Sequence, residues 1–351
     1  MLPEHSMVIS GPCSAETRAQ VLETARGLSD MKLEYFRAGI WKPRTRPGEF
    51  EGIGDVGIDW LCEVRDTYGL KIATEVAKAE HVELALKKNL DMIWIGARST
   101  VNPFTVQEIA ESLKGTNIKV MVKNPVNPDL KLWVGAIERI MKAGITDVSA
   151  IHRGFSVYEK TLYRNDPNWQ IPIDLKQELP SLPLICDPSH IGGRAHLLLP
   201  LAQKAMDLNY DGLMIESHCH PTHAWTDAKQ QITPEELKQL LRSLTIRNRS
   251  EIAEDAMLDL RDQINQTDEA LIQLLTTRMR ISEQIGAFKK DKNHVILQSN
   301  RWEEALKRNV QKGSESGLSV DFVSQLFKLI HQDSIRIQSE ILSKNEDDSA
   351  I

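Results

Sequence analysis

Two different spacings of apolar residues divide the chain. Through the first two thirds, short apolar runs rich in Val, Ile and Leu occupy 7–10, 33–38, 71–75, 91–96, 119–123, 147–152, 184–187 and 211–216. Runs this short predict strands rather than helices. Between them lie segments with apolar residues at three- and four-residue steps, such as 15–31, 57–68, 79–88 and 132–143, which predict amphipathic helices. Eight such alternations within residues 1–245 fit an α/β fold of the (β/α)8 TIM-barrel type. An open doubly wound sheet is the runner-up, because spacing alone does not show closure.

From Met257 the pattern changes to one seam: Met257, Leu260, Ile264, Thr267, Leu271, Leu274, Arg278, Ile281, Ile285 and Phe288. It predicts one long helix packed along an edge, followed by two shorter helices at 300–312 and 319–342. All 15 prolines lie at or before Pro234, so the fold class changes near that point. The expected organisation is a barrel over 1–245, a linker over 246–256, an all-α domain over 257–345 and a disordered tail over 346–351. Three helices carry too little core to stand alone, so this separate domain is expected to dimerise.

Composition narrows the function classes. With 41% hydrophobic residues, 26% charged residues and a net charge of -6, no basic excess points to nucleic acid. No uninterrupted apolar run of about eighteen residues points to a membrane, and no basic-then-apolar leader is seen, so the cytoplasm is the expected location. The four cysteines show no CxxC spacing, which argues against a disulfide framework or a structural zinc cage.

Chemistry gathers where the predicted strands end. The run Leu184-Ile185-Cys186 stops in Asp187-Pro188-Ser189-His190-Ile191-Gly192-Gly193, as a buried strand would on opening into a reactive loop. The other ends carry Cys13, Arg37, Lys42, Arg44, Arg98, Lys123, Arg153 and Glu216. In a barrel these ends converge on one face, so six cations would surround one pocket and need anions such as phosphates and carboxylates between them. Cys13, His190, Glu216 and Asp227 offer a mixed set suited to a divalent first-row ion: manganese, iron, cobalt or zinc. By spacing alone, His218, His220 and His223 compete with His190 as ligands.

Five motifs then meet a family. Gly-Pro-Cys-Ser at 11–14, Lys-Pro-Arg-Thr at 42–45, Gly-Ala-Arg-Ser at 96–99, Asp-Pro-Ser-His at 187–190 and Ile-Glu-Ser-His at 215–218 resemble, in this order, 3-deoxy-D-arabino-heptulosonate 7-phosphate (DAHP) synthase in its compact type I form. The resemblance covers 1–245 and implies a metal, manganese first, on Cys13, His190, Glu216 and Asp227. It implies phosphoenolpyruvate on Arg37, Lys42, Arg98, Lys123 and Arg153, and erythrose 4-phosphate on Arg44, Thr45 and Ser99. The octulosonate phosphate synthases, which share the barrel, carry an Asn-Arg-Ser-Ser type of stretch at the position of Lys42-Pro43-Arg44-Thr45, which favours the four-carbon sugar here. A lyase or aldolase that merely binds phosphorylated sugars is the remoter alternative.

The tail resembles the all-helical chorismate mutases in Leu260-Arg261-Asp262-Gln263-Ile264, Asp268-Glu269, Arg278, Lys289, Arg301 and the stretch from Asp333-Ser334 to Gln338. That similarity implies a homodimer, or a higher oligomer, in which Arg261 of one chain joins Arg278, Lys289, Arg301, Ser334 and Gln338 of another around chorismate, with prephenate as product. Helical arithmetic agrees that Arg278 and Lys289 share a face while Arg261 does not. Trp302 stands where the family carries a glutamate, which calls the contact to the substrate hydroxyl into question and leaves Glu303 as a substitute. The expected protein is a bifunctional shikimate-pathway enzyme, with feedback through the mutase domain. The alternative is a synthase whose tail is a non-catalytic dimerising or ligand-sensing module.

Overall fold

A computed structural model describes residues 7–43, 48–158, 161–247 and 255–343. Contacts divide the chain into two compact units, 1–249 and 250–351. Most of the expected linker and all of the expected tail lie outside the described residues, as do Arg44 and Thr45.

Among the described residues of the first unit, eight parallel strands close into a barrel: β1 (Met7–Gly11), β2 (Tyr35–Arg37), β3 (Ile72–Val76), β4 (Met92–Ile95), β5 (Lys119–Lys123), β6 (Val148–His152), β7 (Leu184–Cys186) and β8 (Gly212–Glu216). Each strand pairs with the next in sequence, and β1 pairs with β8 from Met7↔Gly212 to Gly11↔Glu216. That last ladder excludes the open sheet. The predicted strands are present, with shorter ends where local chemistry stops them. β7 ends before Asp187 because Asp187 caps a short helix, Pro188–Gly192, accepting from His190 N–H at 3.0 Å with Pro188 at the first helical position. The expected reactive loop is therefore a helical turn. Similarly the first helix is Arg18–Leu28 rather than 15–31, since the Thr17 hydroxyl accepts from Gln20 N–H at 3.1 Å.

Alternation along the strands sorts side chains into two layers. Ile9, Tyr35, Ala73, Met92, Trp94, Met121, Ile151, Ile185 and Met214 pack together inside the barrel. Their neighbours, such as Phe36, Ile93, Ile95, Val120 and Val122, pack outward against the helices. Two residues beyond each inward side chain the same face recurs, and there stand Arg37, Glu75, Lys123, Arg153, Asp187 and Glu216. The charged layer thus rests directly on the apolar plug.

Two glycines permit close approach at this rim. A Cβ on Gly11, which has φ +148°, would lie 2.0 Å from the Arg37 carbonyl oxygen, and one on Gly96 would lie 2.1 Å from Glu75 Oε1.

The second unit has three helices among its described residues, Asp255–Asp291, Ser299–Glu315 and Val320–Ser343. The predicted seam is not packed within the chain: Leu271, Leu274 and Phe288 are 52%, 67% and 63% exposed. Among the described residues here, Val323 is the apolar side chain that is fully buried.

Candidate active sites

At the mouth of the barrel, cations and carboxylates alternate. Arg37 is buried, lies 3.3 Å from Glu216 through Nη1 and donates from Nη2 to the Cys13 carbonyl at 2.9 Å. Lys123 donates to Asp187 Oδ2 at 2.8 Å. Both cations sit over Trp94, Arg37 at 4.8 Å and Lys123 at 5.8 Å from the ring centroid, and the indole N–H donates to Glu75 at 3.1 Å. The anions that the clustered cations were expected to need are supplied in part by the chain itself. Inward carboxylates from β3, β7 and β8 neutralise part of the cluster, because strand alternation that aims a cation inward aims acids inward too.

Positive charge nevertheless accumulates on one side. Burial, with the neighbouring charges of Arg164 and Arg98, pushes the Arg153 guanidinium down to about 10 against the pull of Asp187. Arg98 is exposed on the turn Ala97–Thr100, and Ser99 is buried beside it.

Three of the four expected metal ligands converge. One ligand atom each from Cys13, Glu216 and Asp227 lie within 4.8 Å of one another. His190 approaches from the side, Nε2 3.7 Å from Glu216 Oε1 and Nδ1 2.8 Å from Asp187 Oδ2. Asp227 adopts φ +53°, and its loop is stitched to the one after β1. Ser14 and Thr226 hydroxyls meet at 2.7 Å, Gln231 accepts from Cys13 N–H at 2.9 Å, and Glu16 accepts from Trp225 N–H at 2.7 Å. His218 is buried near Glu16 and His220 is exposed.

The donor set fits a cation on its own chemistry. Glu216 Oε1 is buried without a hydrogen-bond partner. Burial, together with the Glu216 and Asp227 carboxylates, pushes the Cys13 thiol up to about 12 against Lys42 and Arg37. In spite of its own burial, the Asp227 carboxyl is held down at about 2 by Arg164, His190 and Lys42. Two ionised acids crowding a protonated thiol is an arrangement that a divalent ion would relieve. Lys42 Nζ stands 3.3 Å from Cys13 Sγ and donates to the Cys13 carbonyl at 2.5 Å.

Sequence reasoning missed Arg164, which donates to Asp227 at 2.9 Å and to Gln230 at 2.6 Å. It lies between β6 and the helix Gln170–Glu178, in a segment with no periodicity to mark it. Asp187 and Glu75, by contrast, were detectable as the inward positions after Ile185 and Ala73.

The helical unit holds a cavity of about 630 Å³ lined by Arg278, Lys289, Arg301, Ser334 and Gln338, all five expected there. Arg278 donates to Ser334 Oγ at 2.7 Å and Lys289 to Gln338 Oε1 at 3.0 Å. Arg261 is exposed and is not among the lining side chains of its own chain. Trp302 lines the cavity, stacked on His331 at 3.8 Å with 11° between the rings. The expected substitute Glu303 does not line it: one position along the helix turns that carboxylate to solvent.

Known proteins share both parts. Residues 4–250 match the DAHP synthetase I family and residues 260–339 match chorismate mutase type II. A phospho-2-dehydro-3-deoxyheptonate aldolase of Thermotoga maritima is 33% identical over 237 residues, covering 68% of each chain. A 2-dehydro-3-deoxyphosphooctonate aldolase of Rhodopseudomonas palustris is 26% identical, over 68% of this chain and 86% of its own. A crystal structure of the Thermotoga maritima DAHP synthase superposes with a TM-score of 0.61 at 30% identity, over 68% of this chain and 67% of that one. The barrel agrees with these relatives, and the chain belongs to the DAHP synthetase I family, with a chorismate mutase type II domain following the barrel in sequence.

Proposed function

We propose that the barrel condenses phosphoenolpyruvate with erythrose 4-phosphate to give DAHP and phosphate, and that the helical domain rearranges chorismate to prephenate. The observation that carries the first half is the juxtaposition of a buried Cys-carboxylate cluster with Lys42 and a rim of arginines at one barrel mouth. Arg37, Lys42, Arg98, Lys123 and Arg153 hold the phosphate and carboxylate of phosphoenolpyruvate, while Ser99, with Arg44 and Thr45, binds the sugar phosphate. C3 of the enol attacks the aldehyde carbon, water adds at C2 and phosphate leaves. Lys42 is assigned the proton delivered to the nascent alkoxide, and the fixed guanidinium groups stabilise the charge that develops. Cys13, His190, Glu216 and Asp227 would hold a divalent ion, manganese first, with iron, cobalt or zinc as alternatives, which when bound supplies Lewis acidity at the aldehyde.

In the tail, a rearrangement needs no nucleophile. Arg278 and Arg301, with Arg261 of a second copy, fix the two carboxylates, and Lys289 and Gln338 hydrogen-bond the ether oxygen as its bond breaks. The exposed seam supports a homodimer through this domain, and the assigned extents remain 1–245, 246–256, 257–345 and 346–351. No helix among the described residues is long and apolar enough to cross a membrane, and we assign the protein to the cytoplasm.

Two coupled assays test the reading: phosphoenolpyruvate loss that depends on erythrose 4-phosphate, and chorismate loss. Absence of the first activity in metal-loaded protein refutes the barrel assignment. Absence of the second alone favours a ligand-sensing tail, a reading that the Trp302–His331 stack supports by occupying a wall where an acid is expected. Feedback is proposed to act through the same cavity, so prephenate inhibition of the synthase should vanish in full-length Arg278→Ala.

A further inference from the structure

We propose that Cys219, His220 and Glu23 form a second divalent-metal site, for a borderline-soft ion such as Zn²⁺, where the helix Arg18–Leu28 meets the segment after β8. One ligand atom from each lies within 4.8 Å of the others, and His220 Nε2 is already 3.6 Å from Glu23 Oε1. Ligand atoms around a tetrahedral zinc are roughly 3.5 Å apart, so closing the triangle requires a movement of about one ångström. Glu23 and His220 are exposed, which gives an ion a way in and leaves a fourth position to water.

The backbone of the two adjacent ligands is already anchored. Cys219 N–H donates to Thr24 Oγ1 at 3.1 Å and His220 N–H donates to His218 Nδ1 at 2.9 Å. A simple ion pair between His220 and Glu23 involves two of the three groups; the Cys219 thiol, whose sulfur lies 3.7 Å from the Gln20 carbonyl and 3.9 Å from His218 Nδ1, stands within reach of both as the third. Thiolate with imidazole selects zinc, cobalt or iron over magnesium and calcium. Binding releases the Cys219 proton to solvent and ties the segment after β8 to the helix. The ligands are distinct from Cys13, His190, Glu216 and Asp227.

The test uses full-length protein stripped by chelator, reloaded with Zn²⁺ and freed of excess, with zinc per chain measured by elemental analysis. Wild type should hold two equivalents; Cys219→Ser and His220→Ala should each lose one, and Cys13→Ser should lose the other, with unchanged far-UV circular dichroism throughout. Cys219→Ser retaining the wild-type content overturns the proposal, as does a single wild-type equivalent that Cys13→Ser removes. Loss with Cys219→Ser but none with Cys13→Ser sustains this site and counts against the mouth site instead. As a second measurement, Co²⁺ added to Cys13→Ser should give a thiolate-to-cobalt charge-transfer band; its absence overturns the proposal.

Discussion

Lys123 Nζ lies 2.8 Å from Asp187 Oδ2, and both side chains are almost fully buried. In spite of its burial, Asp187 is held well below the usual carboxylate range by His190 and Lys123. Removing the carboxylate takes away the ion-pair partner of buried Lys123, so Asp187→Ala should destabilise the barrel by about 3–5 kcal/mol in chemical denaturation, and Lys123→Ala, which leaves Asp187 bonded to His190, by less. The double variant should cost clearly less than the sum. Full additivity would mean that the two groups do not act as a pair.

Buried His152 gives the barrel a pH-dependent stability. Its Nε2 lies 2.7 Å from the Pro167 carbonyl, which only accepts, so Nε2 carries the proton and Nδ1 accepts from Tyr210 hydroxyl at 2.9 Å. Burial, aided by Arg153 and opposed by the Pro167 hydrogen bond, pushes it from 6.5 to about 3. Between those values the unfolded chain binds a proton that the folded chain refuses. This contribution is therefore complete above 6.5 and is lost as pH falls toward 3, at no more than about 1.4 kcal/mol per pH unit. Denaturation midpoints across that window should fall less steeply for His152→Gln than for wild type; parallel curves would remove His152 from the account.

Metal removal should separate the two activities. Chelation, or Cys13→Ser, should abolish condensation while chorismate conversion in the same sample stays within about twofold, because the helical cavity contains no comparable cluster of acids and thiol among its lining residues. Restoration by added Mn²⁺ should occur after chelation and not in Cys13→Ser.

Loss of one cavity cation should be felt in catalysis rather than folding. Arg278 is partly exposed and its donor meets Ser334 at 2.7 Å, so Arg278→Ala should lower kcat/KM for chorismate by about 10²–10³ with little change in melting temperature. An unchanged kcat/KM would move the rearrangement elsewhere.

The proposed homodimer should come apart when the seam is charged. Leu271→Glu with Leu274→Glu places two charges on side chains that are 52% and 67% exposed in the single chain. Sedimentation should then fall from twice 39.7 kDa to 39.7 kDa, with loss of helical signal from the tail. An unaltered mass would show that the seam is not the interface.

Strand and helix identity were legible because short continuous apolar runs and a three-to-four-residue apolar spacing each recur often enough to be distinguished. The mouth was legible where strand ends carried unusual side chains, as at Cys13, Lys123 and Glu216. Charge balance was harder to read. Seeing that Arg37 faces Glu216 requires knowing which strands are neighbours through closure, since β8 adjoins β1 only when the barrel closes. Arg164 reaches Asp227 across 63 residues from an irregular segment, and no local pattern foretells such a contact. The tail posed the opposite difficulty: its seam was evident, but a single sequence does not distinguish burial against its own chain from burial against another copy.

Trp94 closes the barrel beneath the cations, its indole hydrogen-bonded to Glu75 and its ring under Arg37 and Lys123. A stoppered bore has one doorway. If enolpyruvate seats on the arginine rim as proposed, reactants and products share that doorway, the phosphate released in one turnover must vacate it before the next enolpyruvate enters, and inorganic phosphate should compete with that anion.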